Sequence, residues 1–166
     1  MTSAFVAARA MMFAAAFMSG WFWVILRLQP LSREWDAALP FWIAAPGLVL
    51  ELAGWLGVLV CIALFVVRGR GTPAIFDAPR TFVAVGPYRY ARNPMYLSAV
   101  AIFAGFGLYV RSLAVLAFTG AWFLLVHVFV LFIEEPGLRR RFGRTYDEYC
   151  KRVPRWMPRA AVLEGP

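Results

Sequence analysis

Four apolar runs, at about 5–28, 41–67, 95–110 and 113–133, decide what this chain can become. Inside a bilayer no water is present to satisfy backbone N–H and C=O groups, so an apolar stretch of about twenty residues crosses it as a helix that bonds to itself. The chain has 166 residues and is 62% hydrophobic, well above the apolar content of a soluble domain. The expected fold is therefore all-α: a polytopic membrane protein with about four transmembrane helices and a cytoplasmic C-terminal helix and loop region, forming a single domain over 1–166. The first two runs, within 5–67, are its anchoring spans. The first run continues through Trp21-Phe22-Trp23 with no small-residue cleavage site and is expected to be retained rather than removed as a signal peptide.

The formal charge of +8 raises nucleic acid as a partner, but the basic residues flank the apolar runs, as they do in loops held on the cytoplasmic side, and no nucleic acid is expected. With the N-terminus inside, the cytoplasmic segments hold Arg9, the arginines between 68 and 92, and the basic residues of the tail. Only Arg27, Arg33 and Arg111 of the 17 Lys and Arg residues then fall outside. This predicts both termini and the 68–93 connection on the cytoplasmic face, in a bacterial inner membrane. Cys61 and Cys150 have neither metal-ligand spacing nor a disulfide framework around them, so no metal is expected.

Ionisable residues in spans are costly and therefore informative. Glu51 is open to two readings: a functional acid facing a wet cavity, or a residue left near the outer interface because Pro46 and Gly47 break the helix. His127, the single histidine, precedes Glu134 by seven residues, which puts both on one helical face. It either takes part in chemistry or makes an interhelical hydrogen bond. Arg111-Ser112 is the whole link between the third and fourth runs, so these form an antiparallel hairpin, in which Ala101, Ala104, Gly105 and Gly107 would permit close approach.

Between the second and third runs lies a polar, ring-rich stretch, GPYRYARNPMY at 86–96. Pro87 and Pro94 restrict the backbone on both sides, and Pro94 suits the first turn of a helix, which would aim Arg92 and Asn93 at a helix N-terminus able to hold a negative group. After the fourth run comes EEPGLRRRFGRTYDEYCKRVPRWMP, whose adjacent carboxylates need cations from Arg89, Arg92 or Arg139–Arg141. Otherwise this tail is a solvated helix cap with a basic stripe against membrane lipids.

GPYRYARNPMY, the two-span hairpin and this tail, in that order, resemble the C-terminal half of the isoprenylcysteine carboxyl methyltransferase family and its phospholipid methyltransferase relatives, over about 71–159. The resemblance implies a cofactor-binding catalytic core in 71–159, S-adenosyl-L-methionine as cofactor, and a lipophilic methyl acceptor arriving from the bilayer. By position it puts the cofactor loop on Arg80, Thr81, Phe82 and Val83, on Tyr88, and on Asn93, Pro94, Met95 and Tyr96, and the acidic pair on Glu134 and Glu135. Many members carry histidine where this chain has Asn93, which keeps hydrogen-bonding capacity but supplies no imidazole.

Residue chemistry points the same way. The carboxylate and ammonium of the cofactor ask for a cation and an acid, which Arg92 and Glu134 or Glu135 supply, and its adenine asks for an aromatic or aliphatic slot such as Phe82, Val83, Tyr88 and Tyr96 offer. There is no glycine-rich dinucleotide fingerprint. Glu134 and Arg92 are the expected catalytic residues, Glu134 as general base if the acceptor is an amine or hydroxyl; a carboxylate acceptor needs none. The expected reaction resembles isoprenylcysteine carboxyl O-methylation. The alternatives are N-methylation of a phospholipid amine, a noncatalytic four-span protein with a lipid-binding tail, and a nicotinamide-dependent sterol-type reductase. The acceptor's path is expected between the third and fourth spans, along Met95, Leu97, Ser98, Phe129 and Ile133.

Overall fold

The computed structural model describes residues 3–32, 39–69 and 82–158, and among them the chain is helical with no β-strand. Helix α1 (Ser3–Leu28) ends in a 3-10 turn, Gln29–Ser32; a second such turn, Phe41–Ile43, leads into α2 (Ala44–Leu64), which widens into a π-helical turn at Phe65–Gly69. After the 3-10 turn Gly86–Arg89 come α3 (Pro94–Tyr109) and α4 (Leu113–Phe129). A second π-helical turn, Val130–Glu134, joins α4 to α5 (Glu135–Phe142), and α6 is Arg144–Arg152. The all-α polytopic architecture is as the sequence predicts.

Three helical runs are long and apolar enough to cross a membrane: Ala7–Ser32, Phe41–Arg68 and Leu113–Phe142. The fourth expected span, α3, has 16 residues. At 1.5 Å per residue it rises about 24 Å, against about 30 Å of bilayer hydrocarbon. Its length is fixed by Pro94 in its first turn and by the Arg111-Ser112 hairpin turn, where Arg111 takes a positive φ of 53°. Ser32 braces that turn: its Oγ lies 3.0 Å from Ser112 Oγ and accepts a 3.0 Å hydrogen bond from the Ala114 N–H at the start of α4.

The closest helix pair is α2 with α3, not the α3–α4 hairpin. A Cβ on Gly47 would stand 2.7 Å from Tyr109 N, one on Gly54 would stand 2.7 Å from the Ser98 carbonyl, and one on Gly105 would overlap the backbone N of Glu51. Gly47 and Gly54 on α2, and Ser98 and Gly105 on α3, are spaced by sevens, so the two backbones approach closely along a seam into which only α3 side chains such as Leu108 and Ile102 reach. Gly105 therefore serves α2, while Gly107 meets Val115 and Leu116 of α4 as the hairpin reading expects. Pro46 falls in the first turn of α2 and does not break it. Glu51 is consequently a half-buried residue two turns inside the helix, with its backbone against Gly105.

Rings fill the remaining space. Phe103 and Trp122 meet edge to face at 5.1 Å, Phe22 packs on Phe103 and Phe106 at 6.0 and 5.5 Å, and Tyr96 approaches Trp122 at 6.5 Å. Phe103 and Trp122 are fully or almost fully buried. This core holds Tyr96, and with it the lower end of α3, at a fixed height.

Candidate functional site

At the end of the helices where α2 stops, α3 starts and α4 turns into α5, a cavity of about 240 Å³ opens between the 82–93 loop and α5–α6. The loop has no regular partner strand. It is fastened by the tail: the Arg92 N–H donates to the Pro154 carbonyl at 2.9 Å, Asn93 Nδ2 donates to the Arg155 carbonyl at 3.2 Å, and the Tyr149 hydroxyl donates to the Tyr88 carbonyl. Phe82 lies in a ring cluster with Tyr149, Phe142 and Tyr146 at 4.9, 5.4 and 5.8 Å. Val83 and Tyr88 pack against Cys61 of α2. Burial pushes the Tyr88 hydroxyl well above the ordinary phenol range, and burial does the same for Tyr146 and Tyr149, the latter against the opposing pull of the Arg92 guanidinium.

The acidic pair divides into two unlike residues. Glu135, 2% exposed, is gripped by cations: Arg155 in a fork, Nε to Oε1 at 2.6 Å and Nη2 to Oε2 at 3.0 Å; Arg92 Nη1 at 3.1 Å from Oε1; and Arg139 Nη2 at 3.8 Å from Oε2. A buried carboxylate surrounded in this way is neutralised and immobile. The bond to Glu135 in turn raises the Arg155 guanidinium pKa above its usual value. Glu134 accepts one hydrogen bond, from Tyr96 Oη at 2.9 Å, and its other oxygen has no partner among the described residues. It stands at the end of the π-helical turn, a wider coil that recurs at functional sites and that re-aims the residues following it.

Of the residues singled out in the sequence, Phe82, Val83, Tyr88, Arg92, Asn93, Tyr96, Glu134 and Glu135 all line this cavity. Pro94 and Met95 do not: Pro94 is buried as the first residue of α3, and Met95 packs in the apolar core. Arg80 and Thr81 lie outside the described residues. Arg92 Nη1 also donates to Cys150 Sγ at 2.8 Å, while its Nε is buried without a hydrogen-bond partner among the described residues. His127 does not join Glu134; its Nδ1 accepts a 2.8 Å hydrogen bond from Trp156 Nε1, a bond from the tail rather than from another span. Of the expected acceptor path, Ile133 lines the cavity, whereas Ser98 faces Gly54 and Gly57 of α2 and its Oγ donates to the Pro94 carbonyl at 2.8 Å.

Arg155 is the residue sequence reasoning missed. Val153–Arg159 reads as an interfacial segment, and the nearer arginines 89 and 139–141 offer themselves first as partners for the acidic pair. The available signal was the paired Pro154 and Pro158, which give the tail a fixed course back to Glu135 instead of a free end. Among the described residues no group of three or more His, Cys, Asp or Glu is placed to hold a metal ion.

Known proteins bear on this geometry. The chain is 31% identical over 135 residues to the cobalt-zinc-cadmium resistance protein CzcN of Cupriavidus metallidurans, a match that takes in 80% of this chain and 57% of that protein. This chain thus spans little more than half the length of that relative. No solved structure matches. Residues 58–145, from the lower half of α2 through the cavity to the start of α6, match the family described as phospholipid methyltransferase. With both carboxylates and most of the cavity lining inside that region, which is more than half of the chain, the chain belongs to the phospholipid methyltransferase family.

Proposed function

We propose that this protein is an S-adenosylmethionine-dependent membrane methyltransferase acting on a lipophilic acceptor, in the manner of the isoprenylcysteine carboxyl methyltransferases. One observation carries the reading: Arg92, whose Nε is buried without a hydrogen-bond partner among the described residues, and Glu134, which accepts a single hydrogen bond, both line one cavity walled by Phe82, Tyr88 and Tyr96. An orphaned buried donor costs about 1–3 kcal/mol. A ligand with a carboxylate for Arg92, an ammonium for Glu134 and an apolar ring for the aromatic wall removes that cost, and this is the chemistry of the methionine and adenine ends of the cofactor. When bound, the cofactor supplies an electrophilic methyl group on sulfur.

The chain's own residues then position and exclude water. Glu135 fixes Arg92 from below and Arg155 from the side, so the guanidinium is held before any ligand arrives. Tyr96 holds Glu134 in one orientation. The tail clamp holds the 82–93 loop in place beside the cavity. A second reading, methylation of an amine head group, is favoured by Glu134 itself: a carboxylate with one hydrogen-bond donor in a buried site is able to take the proton that an amine must lose, whereas a carboxylate acceptor has none to give. The basic-residue asymmetry further supports a cavity on the cytoplasmic face of a bacterial inner membrane.

The test is calorimetric titration of the purified protein with S-adenosylhomocysteine, NADPH and anionic lipid vesicles. The expected result is saturable binding of S-adenosylhomocysteine, weakened about tenfold or more by Glu134→Gln and by Tyr96→Ala, with the protein still folded. Binding of NADPH alone would move the protein to another reaction class. Binding of lipid alone would leave a noncatalytic membrane protein.

A further inference from the structure

A second cavity, about 350 Å³, lies wholly within the apolar spans between α1 and α2. Met11, Ala15 and Met18 of α1 face Val58 and Ile62 of α2 across it, and among the described residues no charged one lines it and Ser19 is its lone hydroxyl. Its two ends differ. At the far end Phe22 and Trp55 stack with centroids 6.1 Å apart and planes within 12°, forming a wall. At the near end Ile62 is one helical turn, about 4.5 Å of rise, before Phe65, and Phe65 lines the polar cavity that holds Glu134. Helix α1 packs against the same Phe65–Gly69 turn, which therefore stands between the two cavities on the α2 side.

We infer that this groove holds the hydrocarbon chain of the methyl acceptor, with Phe22 and Trp55 as the end wall that sets how long a chain is accepted. The inference rests on the proposed methyl-transfer reading of the polar cavity. A groove bounded by membrane helices takes up hydrocarbon in preference to water or to any polar ligand. A chain lying here differs from bulk lipid in one respect: its head is delivered beside Glu134, and its terminal methyl meets a fixed wall. From Met11 to Phe22 the groove runs about 16 Å along α1, so the depth available to the chain is set by two rings and not by the bilayer. This differs from a path between α3 and α4 along Ser98, whose side chain faces the glycine seam.

The experiment uses the full chain in nanodiscs with a phosphatidylethanolamine that carries a photoactivatable group at its chain terminus, alongside S-adenosylhomocysteine binding on the same samples. The expected result is labelling concentrated between Met11 and Phe22 and between Trp55 and Ile62. Ala15→Trp, which fills the groove, should lower that labelling about tenfold and leave S-adenosylhomocysteine affinity within about threefold. Trp55→Ala should shift the best-labelled chain length upward, because the wall has been moved back. If Ala15→Trp fails to fold, the wild-type label position and the Trp55→Ala shift decide the matter. Labelling spread evenly over the spans, concentrated on α3 and α4, or replaced by crosslinks between two copies of the chain, with S-adenosylhomocysteine binding intact, would overturn the inference alone. Absence of S-adenosylhomocysteine binding by the wild type would overturn the methyl-transfer reading, and the acceptor's chain site with it.

Discussion

The α2–α3 seam and the loop–tail clamp hold the same protein together by opposite means. Along the seam, backbone meets backbone at Gly47, Gly54 and Gly105, and the side chains that reach the first two, Leu108 and Ile102, are apolar. Around the polar cavity, loop and tail are separated by more than fifty residues in sequence and are joined by hydrogen bonds and by the three arginines on Glu135. In lipid, helix association draws on close packing because the hydrophobic effect gives no preference for helix over acyl chain. At the membrane surface, polar bonds are available and charge-assisted ones dominate. The seam thus sets the height of Tyr96 and Glu51 rigidly, while the clamp is the part whose partners a ligand can exchange. The comparison teaches that substitutions at the seam should destroy the molecule and substitutions at the clamp should disable it.

The largest effect is expected at the seam. Gly105→Leu places a side chain against the Glu51 backbone, where even a Cβ has no room, and overpacking of this kind costs about 1–3 kcal/mol or more. The protein is expected to lose its thermal transition in detergent together with S-adenosylhomocysteine binding. Gly120, on α4, meets nothing within 4 Å, so Gly120→Ala should be neutral or raise the unfolding temperature, by about 0.5–1 kcal/mol of helix propensity. Equal behaviour of the two variants would remove the seam from the argument.

Next comes the clamp's centre. Glu135→Gln leaves Arg92 and Arg155 without their counter-charge, and breaking a buried pair by neutralising one partner costs about 3–5 kcal/mol. Proteolysis at the tail arginines should accelerate, and cofactor affinity should fall through Arg92. Helices α1 to α4 should persist, as measured by circular dichroism. If helix content fell along with the tail, the seam and clamp would not be separable.

Much of this division was legible in the sequence, and the reasons for the rest are physical. Four apolar runs, a two-residue hairpin turn and Pro94 at a helix start required only periodicity and length. The cavity lining was legible because the tyrosines, Arg92 and the acidic pair are residue types that a polar pocket at a membrane surface needs. Helix rotation was not: nothing local distinguishes Gly105 facing α2 from Gly105 facing α4, and Ser98 moved with it. The π-helical turn at Val130–Glu134 was equally silent, and it carries Glu134 off the face it would share with His127 in an unbroken helix. Arg155 was missed because the path of a proline-rich tail depends on what it returns to.

Alkaline titration sharpens the comparison with a smaller effect. Tyr88, Tyr146 and Tyr149 have their hydroxyls pushed above the ordinary phenol pKa of about 10 by burial in the clamp. The folded form therefore retains protons that the unfolded form releases above about pH 10, so the stabilisation is complete below that pH and declines as pH rises above it. Phenolate absorbance from these three rings should appear only as the clamp opens. Its appearance at the ordinary phenol pH in a folded protein would show that the clamp is loose.

The smallest effect tests the place where clamp and seam regions meet. Trp156 is the tail residue that reaches back to a span: its ring packs on Phe123 at 4.9 Å, and its Nε1 donates to His127 Nδ1 at 2.8 Å. Trp156→Phe keeps a ring against Phe123 and removes only the donor, so the expected loss is that of one neutral hydrogen bond, about 1 kcal/mol. That energy is too small to unfold the helices, but it should be read in the tail. The rate of proteolysis after Arg152 and Arg155 should rise about fivefold, as 1 kcal/mol of local opening requires. His127→Ala should give the same rise, and the double variant should add little, because both remove one bond. Additive losses in the double variant would mean that His127 has a second role in the span, and that the tail is held there by ring packing alone.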